Sequence, residues 1–233
     1  MHSASLSPNS QPTSGIQLED ITLTRGATLV FQHLTLALNE SRIGLIGDNG
    51  AGKSSLFRLL CGLDRPDSGR VVKPQPAHSV GMMFQNSDEQ IIFPTVEEEL
   101  ALSLHHLQLP RAEVRTQVAN WLADKGLTHW AARAIASLSQ GQRQHVCWLA
   151  LKVASHQTLL LDEPFSSLDL PSQALLRKDI AQAQEQIIVS THVLDHVRHF
   201  ERVLWLDKGQ IRGDGDGASV CAAYEADVAS RTA

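Results

Sequence analysis

The sequence predicts an α/β fold: a parallel-sheet core, a small antiparallel β subdomain at the front and an inserted helical subdomain. Two continuous apolar runs, TLLLD at 158–162 and QIIVS at 186–190, are typical of parallel strands buried on both faces. A third buried strand, RIGLIG at 42–47, leads through a glycine-rich loop into a helix. These three observations favour the α/β class over an all-α or all-β fold.

The front of the chain reads as an antiparallel pair of strands. The runs IQLEDITLT and TLVFQHLTLAL, within 16–38, alternate apolar and polar residues and are separated by Arg25 and Gly26. After the glycine-rich loop, the helix SLFRLLCG closes at Gly62. Short strands are predicted at 69–73 and 79–84.

A helical pattern extends from about residue 95 to about residue 136. Thr95 and Glu98 fit a capping box before an apolar run. Pro110 can open a second helix that Gly126 ends. We therefore expect a helical insert over about 86–138, followed by a further helix that starts near Ser139.

The two ends of the chain differ from the core. Residues 1–15, MHSASLSPNSQPTSG, are rich in Ser, Pro and Gln and lack an apolar stretch, so we expect a disordered leader and not a signal peptide. Strands at 203–207 and 210–212 complete the predicted domain over 16–217. An Ala-rich tail or short helix is expected at 218–233.

Composition limits the classes of partner. The chain has 233 residues, 42% of them hydrophobic, which suffices for a sizeable core. A net charge of −5 with dispersed Lys and Arg argues against a nucleic-acid partner. Three scattered cysteines without a CxxC indicate a reduced, cytosolic chain. Because no apolar run approaches the ~20 residues of a membrane span, any membrane role must act through partners.

The glycine-rich loop at 47–54, GDNGAGKS, fits the pattern G-x-x-x-x-G-K-[ST]. Its backbone N–H groups can wrap phosphate oxygens, Lys53 can reach the β and γ phosphates, and Ser54 can bind Mg²⁺. The alternative is a simple glycine-rich turn. The strand before the loop and the helix after it favour the phosphate loop.

Two adjacent carboxylates, Asp162 and Glu163, end the buried strand LLLDE. In phosphoryl transfer the first can hold Mg²⁺ through water, and the second can position or deprotonate the attacking water. The alternative is a turn signal at the end of a strand. A cation offsets the repulsion between neighbouring carboxylates, so the phosphate loop favours the catalytic interpretation.

Two more polar residues follow buried strands. Gln85, after SVGMMF, is either a strand boundary or a ligand of Mg²⁺ or water. His192, in VSTHVLDHVRHF, can reach the γ-phosphate. The spacing of His192 and His196 also allows a metal pair, but no nearby Glu or Cys completes the set. We expect His196 and His199 on a plain surface helix.

A second candidate anion site begins at Leu138, where the sequence reads LSQGQ. Ser139 is a good helix N-cap, and Gly141 allows close approach of the backbone. Either this is an ordinary capped helix, or its N-terminus awaits a phosphate.

Six ordered motifs within about 16–215 together resemble the ATP-binding cassette (ABC) ATPases: GDNGAGKSS, the Gln85 loop, LSQGQ, LLLDEP, SSLD at 166–169, and His192. Small GTPases and kinases lack the LSxGQ signature. The resemblance implies a P-loop NTPase (RecA-like) core that binds ATP and Mg²⁺. It also implies a head-to-tail homodimer or heterodimer with two ATPs at its interface.

The resemblance implies a role for each motif residue. Glu163 is the general base, His192 the γ-phosphate switch, and Gln85 completes the catalytic set. Asp169 communicates between the two sites, and the Mg²⁺ ligands are Ser54, Gln85 and Asp162. The ATP-binding residues are Gly47, Asp48, Asn49, Gly50, Ala51, Gly52, Lys53, Ser54, Ser55 and Arg25. The signature residues that act in trans on the partner's ATP are Ser139, Gln140, Gly141 and Gln142.

The chain departs from the family pattern at two places. Gln140 stands where the signature usually has Gly, and we expect hydrolysis to be retained at a different rate. The aromatic residue that usually stacks on adenine, near Thr24 and Arg25, is absent. Arg25 can stack with its guanidinium plane, or base recognition is weak.

A finer resemblance lies in FQNSDEQIIFPTVEEEL, which is similar to the segment after the Gln loop in ATPases of energy-coupling-factor importers. It implies an ATPase pair on the cytoplasmic face of the inner membrane. The pair would grip helices of a transmembrane coupling protein, near residues 86–94, and a separate membrane subunit would bind the substrate. The short C-terminus favours a biotin-type or compact cobalt or nickel system.

Other functions compete with the importer. The acidic segment can be a simple exposed loop, and a soluble ABC ATPase of iron–sulfur cluster assembly is the main alternative. A regulator that binds nucleotide without hydrolysing it is opposed by intact Glu163 and His192.

Overall fold

The computed structural model describes residues 15–74, 79–166 and 168–232. Within these residues the strands form two sheets, of which the smaller is three-stranded and antiparallel. Its strands are β1 (Ile16–Arg25), β2 (Thr28–Leu38) and β4 (Ser68–Val72), in the order β2-β1-β4. Ile16 pairs with Leu38 and Arg25 with Thr28, which confirms the predicted hairpin.

The larger sheet of the described chain has six strands in the order β5-β6-β7-β3-β8-β9. They are β3 (Arg42–Ile46), β5 (Val80–Met83), β6 (Thr158–Asp162), β7 (Gln186–Ser190), β8 (Arg202–Asp207) and β9 (Gln210–Gly215). The first five are parallel, and β9 runs antiparallel to β8. Every residue of β6 is buried, which explains its unbroken apolar run. The α/β prediction is confirmed.

Helices cover the sheet and fill the region after β5. They are α1 (Lys53–Cys61), α2 (Ser87–Gln90), α3 (Val96–Ser103), α4 (Arg111–Asp124), α5 (Gln140–Val153), α6 (Leu170–Gln182) and α7 (Gly217–Thr232). Thr95 caps α3, but its hydroxyl donates to the Glu98 carboxylate at 2.6 Å and accepts only weakly from the Glu98 N–H at 3.4 Å.

The core lies on both faces of the large sheet. On one face, α1 and the small sheet bury Phe57 and Phe31 completely. On the other face, α5 and the helices before it bury Val146, Leu100 and Leu122. The large sheet is thus covered by packed side chains on both faces.

Two elements differ from expectation. Helix α6 was not predicted, although Asp169 caps it by accepting from the Ser172 N–H at 3.0 Å and Pro171 lies in its first turn. The surface-helix expectation for His196 is wrong. His196 lies in a 3₁₀ turn at 194–196, is only 8% exposed, and packs on the Phe165 ring.

The contacts of His196 also argue against the metal-pair alternative. Its Nε2 lies 3.2 Å from the Arg177 guanidinium, and its Nδ1 lies 3.4 Å from the Thr191 hydroxyl. Burial and the Arg177 charge lower the pKa of His196 to about 4. Its imidazole is therefore neutral at pH 7 and acts as a structural group.

Residues 1–14 of the predicted leader lie outside the described residues. The boundaries predicted for the domain at 16–217, its insert at 86–138 and the tail at 218–233 stay predictions. None of the described helices combines the length and the apolar character that a bilayer crossing requires.

Candidate active site

A cavity of about 520 Å³ opens where β3, β5, β6 and β7 end. The carboxyl ends of parallel strands share one edge of a sheet, so residues distant in sequence meet there. The lining residues are Val30, Asn49, Gly50, Gly52, Lys53, Ser54, Ser55, Gln85, Asp162, Glu163 and His192. The structure thus brings together the catalytic and Mg²⁺ residues predicted from four separate motifs.

The phosphate loop connects β3 to α1 and needs glycine for its shape. Gly47 has φ 142, and a Cβ there would lie 2.1 Å from the Leu206 carbonyl oxygen. Gly52 stands at the N-cap of α1 with φ 111. The loop therefore delivers the positive end of a nine-residue helix to the cavity.

Lys53, the first residue of α1, is 9% exposed. Its ammonium donates to the carbonyl oxygens of Gly47 at 2.7 Å and Asp48 at 3.0 Å. Burial lowers the pKa of Lys53, and the carboxylates of Glu163 and Asp162 act in the opposite direction. The cation is held inside the loop, where phosphate oxygens can replace its carbonyl partners.

Glu163 is paired with the candidate switch histidine. Its Oε2 accepts a hydrogen bond from His192 Nδ1 at 2.8 Å, since a carboxylate has no proton to donate. Glu163 adopts φ 47, and its N–H donates to the Ser190 carbonyl at 2.9 Å. A left-handed glutamate is strained, and such strain clusters at functional sites.

Mg²⁺ would find suitable donors in this cavity. The Asp162 carboxylate, the Ser54 hydroxyl and the Gln85 amide oxygen all line it. These are hard oxygen ligands, which Mg²⁺ prefers, and Asp162 is only 7% exposed. The donor set therefore fits the ion.

Some predicted nucleotide-binding residues lie outside the cavity lining. Gly47 and Ala51 belong to the phosphate loop but do not line the cavity, and Ala51 is buried. The Asp48 carboxylate contacts α7. The Arg25 guanidinium is paired with Asp64, so the structure does not bring it to the cavity.

Val30 is a lining residue that sequence reasoning missed. It lies in β2, where Leu29, Val30 and Phe31 interrupt the alternation of apolar and polar residues. That interruption is the signal that could have identified it. An apolar side chain at the cavity wall suits one face of a nucleotide base.

The signature segment forms the start of α5. The Ser139 hydroxyl accepts from the Gln142 N–H at 3.2 Å, and the Gln142 amide oxygen accepts from the Ser139 N–H at 3.1 Å. A Cβ on Gly141 would lie 2.3 Å from the Ser172 hydroxyl, so glycine permits close packing of α5 on α6. Gln140 is exposed. None of these four residues lines the cavity around Lys53 of the same chain.

Asp169 has a local structural role. Its carboxylate caps α6, and this hydrogen bond with Ser172 holds the pKa of Asp169 below its usual value. Its predicted role between two nucleotide sites stays a prediction.

Several proteins with similar sequences are named as ATP-binding proteins of transporters. The sequence model of a family described as ABC transporter matches residues 31–166. The biotin transport ATP-binding protein BioM of Rhodobacter capsulatus is 41% identical over 218 residues, covering 90% of this chain and 93% of that protein. BioM of Rhizobium etli is 36% identical, covering 90% and 97%.

The fold comparison agrees with these relatives. The structure of cbiO1 from Clostridium perfringens, part of the ABC transporter complex cbiONQ, superimposes with a TM-score of 0.76 and 25% identity. The match covers 92% of this chain and 93% of that one. Given the motif geometry, the family match and the identity to BioM, this chain belongs to the ATP-binding proteins of the ABC transporter family.

Proposed function

We propose that this chain is the ATP-hydrolysing subunit of a membrane importer of the energy-coupling-factor type. The observation that carries the proposal is the convergence of Lys53, Ser54, Asp162, Glu163 and His192 on one cavity. A phosphate grip, oxygen ligands for Mg²⁺ and a carboxylate base are the parts that ATP hydrolysis needs.

ATP binding would use the phosphate loop and its helix. Backbone N–H groups around Asn49 and Gly50 and the N-terminus of α1 would hold the phosphates, and Lys53 would exchange its carbonyl partners for β- and γ-phosphate oxygens. Mg²⁺ held by Ser54, Gln85 and Asp162 would neutralise charge on the phosphates. Val30 would contact the base, and a stacking role for Arg25 would require it to leave Asp64.

Hydrolysis would use Glu163 as the general base. Its carboxylate accepts a proton from water, the water oxygen attacks the γ-phosphorus, and the bond to the β–γ bridging oxygen breaks, so that ADP leaves. In this structure His192 Nδ1 already holds Glu163 Oε2. A γ-phosphate that engages the His192 ring would change this pairing, which is how the histidine would act as a switch.

The site would be completed by a second ATPase chain. Ser139, Gly141 and Gln142 stand at the N-terminus of a 14-residue helix, away from the cavity of their own chain. A helix N-terminus attracts phosphate, so in a head-to-tail dimer the signature would contact the partner's ATP. Asp169 would lie between the two sites.

Membrane partners would dock beside α2. The Ile92 and Phe93 N–H groups both donate to the buried Glu99 carboxylate at 2.9 Å. This turn leaves Ile92 73% exposed and Phe93 38% exposed. Exposed apolar residues on a fixed turn suit helices of a transmembrane coupling protein at the cytoplasmic face of the inner membrane.

The substrate proposed first is biotin. The two relatives described above carry biotin transport in their names, at 41% and 36% identity. Cobalt or nickel is the second candidate, and a separate membrane subunit would bind either substrate. The named relatives are transport proteins, which favours the importer over a soluble iron–sulfur assembly ATPase.

Purification of the tagged chain from detergent-solubilised membranes of its source cells tests this proposal. We expect integral membrane subunits to co-purify with the chain. We also expect the reconstituted complex to take up labelled biotin, with uptake coupled to ATP hydrolysis. Uptake of Co²⁺ or Ni²⁺ instead would replace the substrate. A chain that hydrolyses ATP but retains no membrane subunit would contradict the importer.

A further inference from the structure

The C-terminal helix α7 reaches back to the phosphate loop. The Tyr224 hydroxyl donates to Asp48 Oδ1 at 2.6 Å, and Arg231 Nη1 donates to Asp48 Oδ2 at 2.6 Å. Both oxygens of one carboxylate in the loop are thus held by two side chains of α7, which lie 176 and 183 residues later in the chain.

Helix α7 is itself firmly attached to the large sheet. Val220 and Cys221 are buried in the core. The Tyr224 ring packs edge-on against Trp205 of β8, with ring centroids 5.3 Å apart. These packing contacts position the Tyr224 hydroxyl.

An ion-pair chain also orients Arg231. Asp227 lies one helical turn before Arg231 and 2.8 Å from its Nε. The other oxygen of Asp227 accepts from Arg212 at 2.6 Å, and Arg212 stacks over Trp205. Arg231 thus presents its Nη1 to Asp48 of the phosphate loop.

The charge of the Asp48 carboxylate affects phosphate binding, because Asp48 belongs to the phosphate loop. Its carbonyl accepts from Lys53, the cation that would bind the phosphates. A carboxylate beside a phosphate-binding loop repels the ligand unless a cation neutralises it. The hydrogen bonds from Arg231 and Tyr224 hold the pKa of Asp48 below its usual value, so the carboxylate is ionised at pH 7 and its charge must be balanced.

We propose that α7 is a positioning element for the phosphate loop, with Tyr224 and Arg231 as positioning residues that fix Asp48 and cancel its charge. This inference rests on the proposed ATP binding at the same loop. The two residues would touch no phosphate themselves. They would set the affinity for polyphosphate, and the chemical step would not depend on them.

The test compares Arg231→Met, Tyr224→Phe and Glu225→Gln in the full-length chain. We expect Arg231→Met to weaken binding of Mg-ATP about three- to fivefold and Tyr224→Phe about twofold, the range for exposed charge pairs and single hydrogen bonds. The loss should be similar for ADP and absent for adenosine, and kcat should stay within about twofold. A merely structural role would not discriminate by phosphate.

Two controls separate the loop contact from general effects on α7. Glu225 neighbours Tyr224 but pairs with Arg198, so Glu225→Gln should bind ATP as the unmodified chain does. Arg231→Lys keeps the charge and should recover most of the affinity. Adenosine affinity that falls together with ATP affinity would overturn the proposal.

A double-mutant cycle identifies the partner through which Arg231 acts. In an Asp48→Asn background, Arg231→Met should change the ATP affinity by less than about 1.5-fold, because the charge that it balanced is gone. A full three- to fivefold loss in that background would overturn the inference.

The proposed function is checked separately in the same titrations. If the unmodified chain binds no ATP, or binds it unaffected by Lys53→Ala, ATP binding at this loop fails. If Lys53→Ala abolishes binding while the Arg231 and Tyr224 variants bind normally, the role of α7 alone fails.

Discussion

The substitution Glu163→Gln removes the proposed base while leaving the site's shape intact. Glu163 Oε2 accepts from His192 Nδ1, and a glutamine amide oxygen of the same reach can accept that hydrogen bond too. The backbone bond from the Glu163 N–H to Ser190 does not involve the side chain. The folded structure should therefore be retained, and the change isolates proton acceptance.

The expected size of the effect follows from that role. Loss of a general base lowers the chemical rate about 10²- to 10⁴-fold, or about 3–5 kcal/mol in the barrier. ATP affinity should stay the same or rise by about threefold, since one negative charge beside Lys53 is removed. The variant should accumulate an ATP-bound state.

Phosphate release at saturating ATP measures the rate, and equilibrium titration with ATP measures the affinity. Glu225→Gln, the same chemical change on α7 outside the cavity, is the matched control. Turnover of Glu163→Gln within about twofold of the unmodified chain would refute Glu163 as the base.

Two further substitutions test the proposed docking of membrane partners beside α2 and the contact between α5 and α6. Glu89→Lys reverses an exposed charge of α2 and preserves the Asp88–Arg143 ion pair at 3.1 Å. It should therefore reduce transport more than it reduces the ATPase activity of the isolated subunit. Equal loss of transport and ATPase activity would argue against docking at α2. Gly141→Ala places a Cβ against Ser172 and should lower the free energy of unfolding by about 1–2 kcal/mol in urea, with partial recovery in Gly141→Ala/Ser172→Ala; unchanged stability would show that the helices separate freely.

The sequence was sufficient for the parts of the site that lie at strand ends. Each motif residue follows a buried strand or opens a helix, and parallel strands bring their carboxyl ends to one edge. The sequence alone therefore predicts that Lys53, Asp162 and His192 lie close together. The hairpin and the helix starts at Thr95 and Ser139 were equally local.

The remaining features of the structure depend on contacts between distant segments, and the sequence alone does not predict such contacts. His196 looked like a surface residue because its burial arises from Phe165 and Arg177, on other elements. The hydrogen bond from Tyr224 to Asp48 joins residues 176 positions apart, and no local sequence pattern predicts it. Helix α6 is different, because its start has a local signal in the sequence, namely the Asp169 cap and the proline in its first turn.

In the proposed dimer, the signature of one chain completes the ATP site of the other chain. Lys53→Ala removes the phosphate grip, and Ser139→Arg blocks the signature, so each variant alone should be inactive. A mixed head-to-tail dimer has one site with both halves intact.

Phosphate release by an equimolar mixture of these two variants tests whether the site is shared between two chains. We expect recovery of about one quarter of the unmodified activity, because about half of the dimers are mixed and each has one working site of two. Circular dichroism of each variant checks its fold. Activity of the mixture no greater than the sum of the separate variants would contradict a site shared between chains.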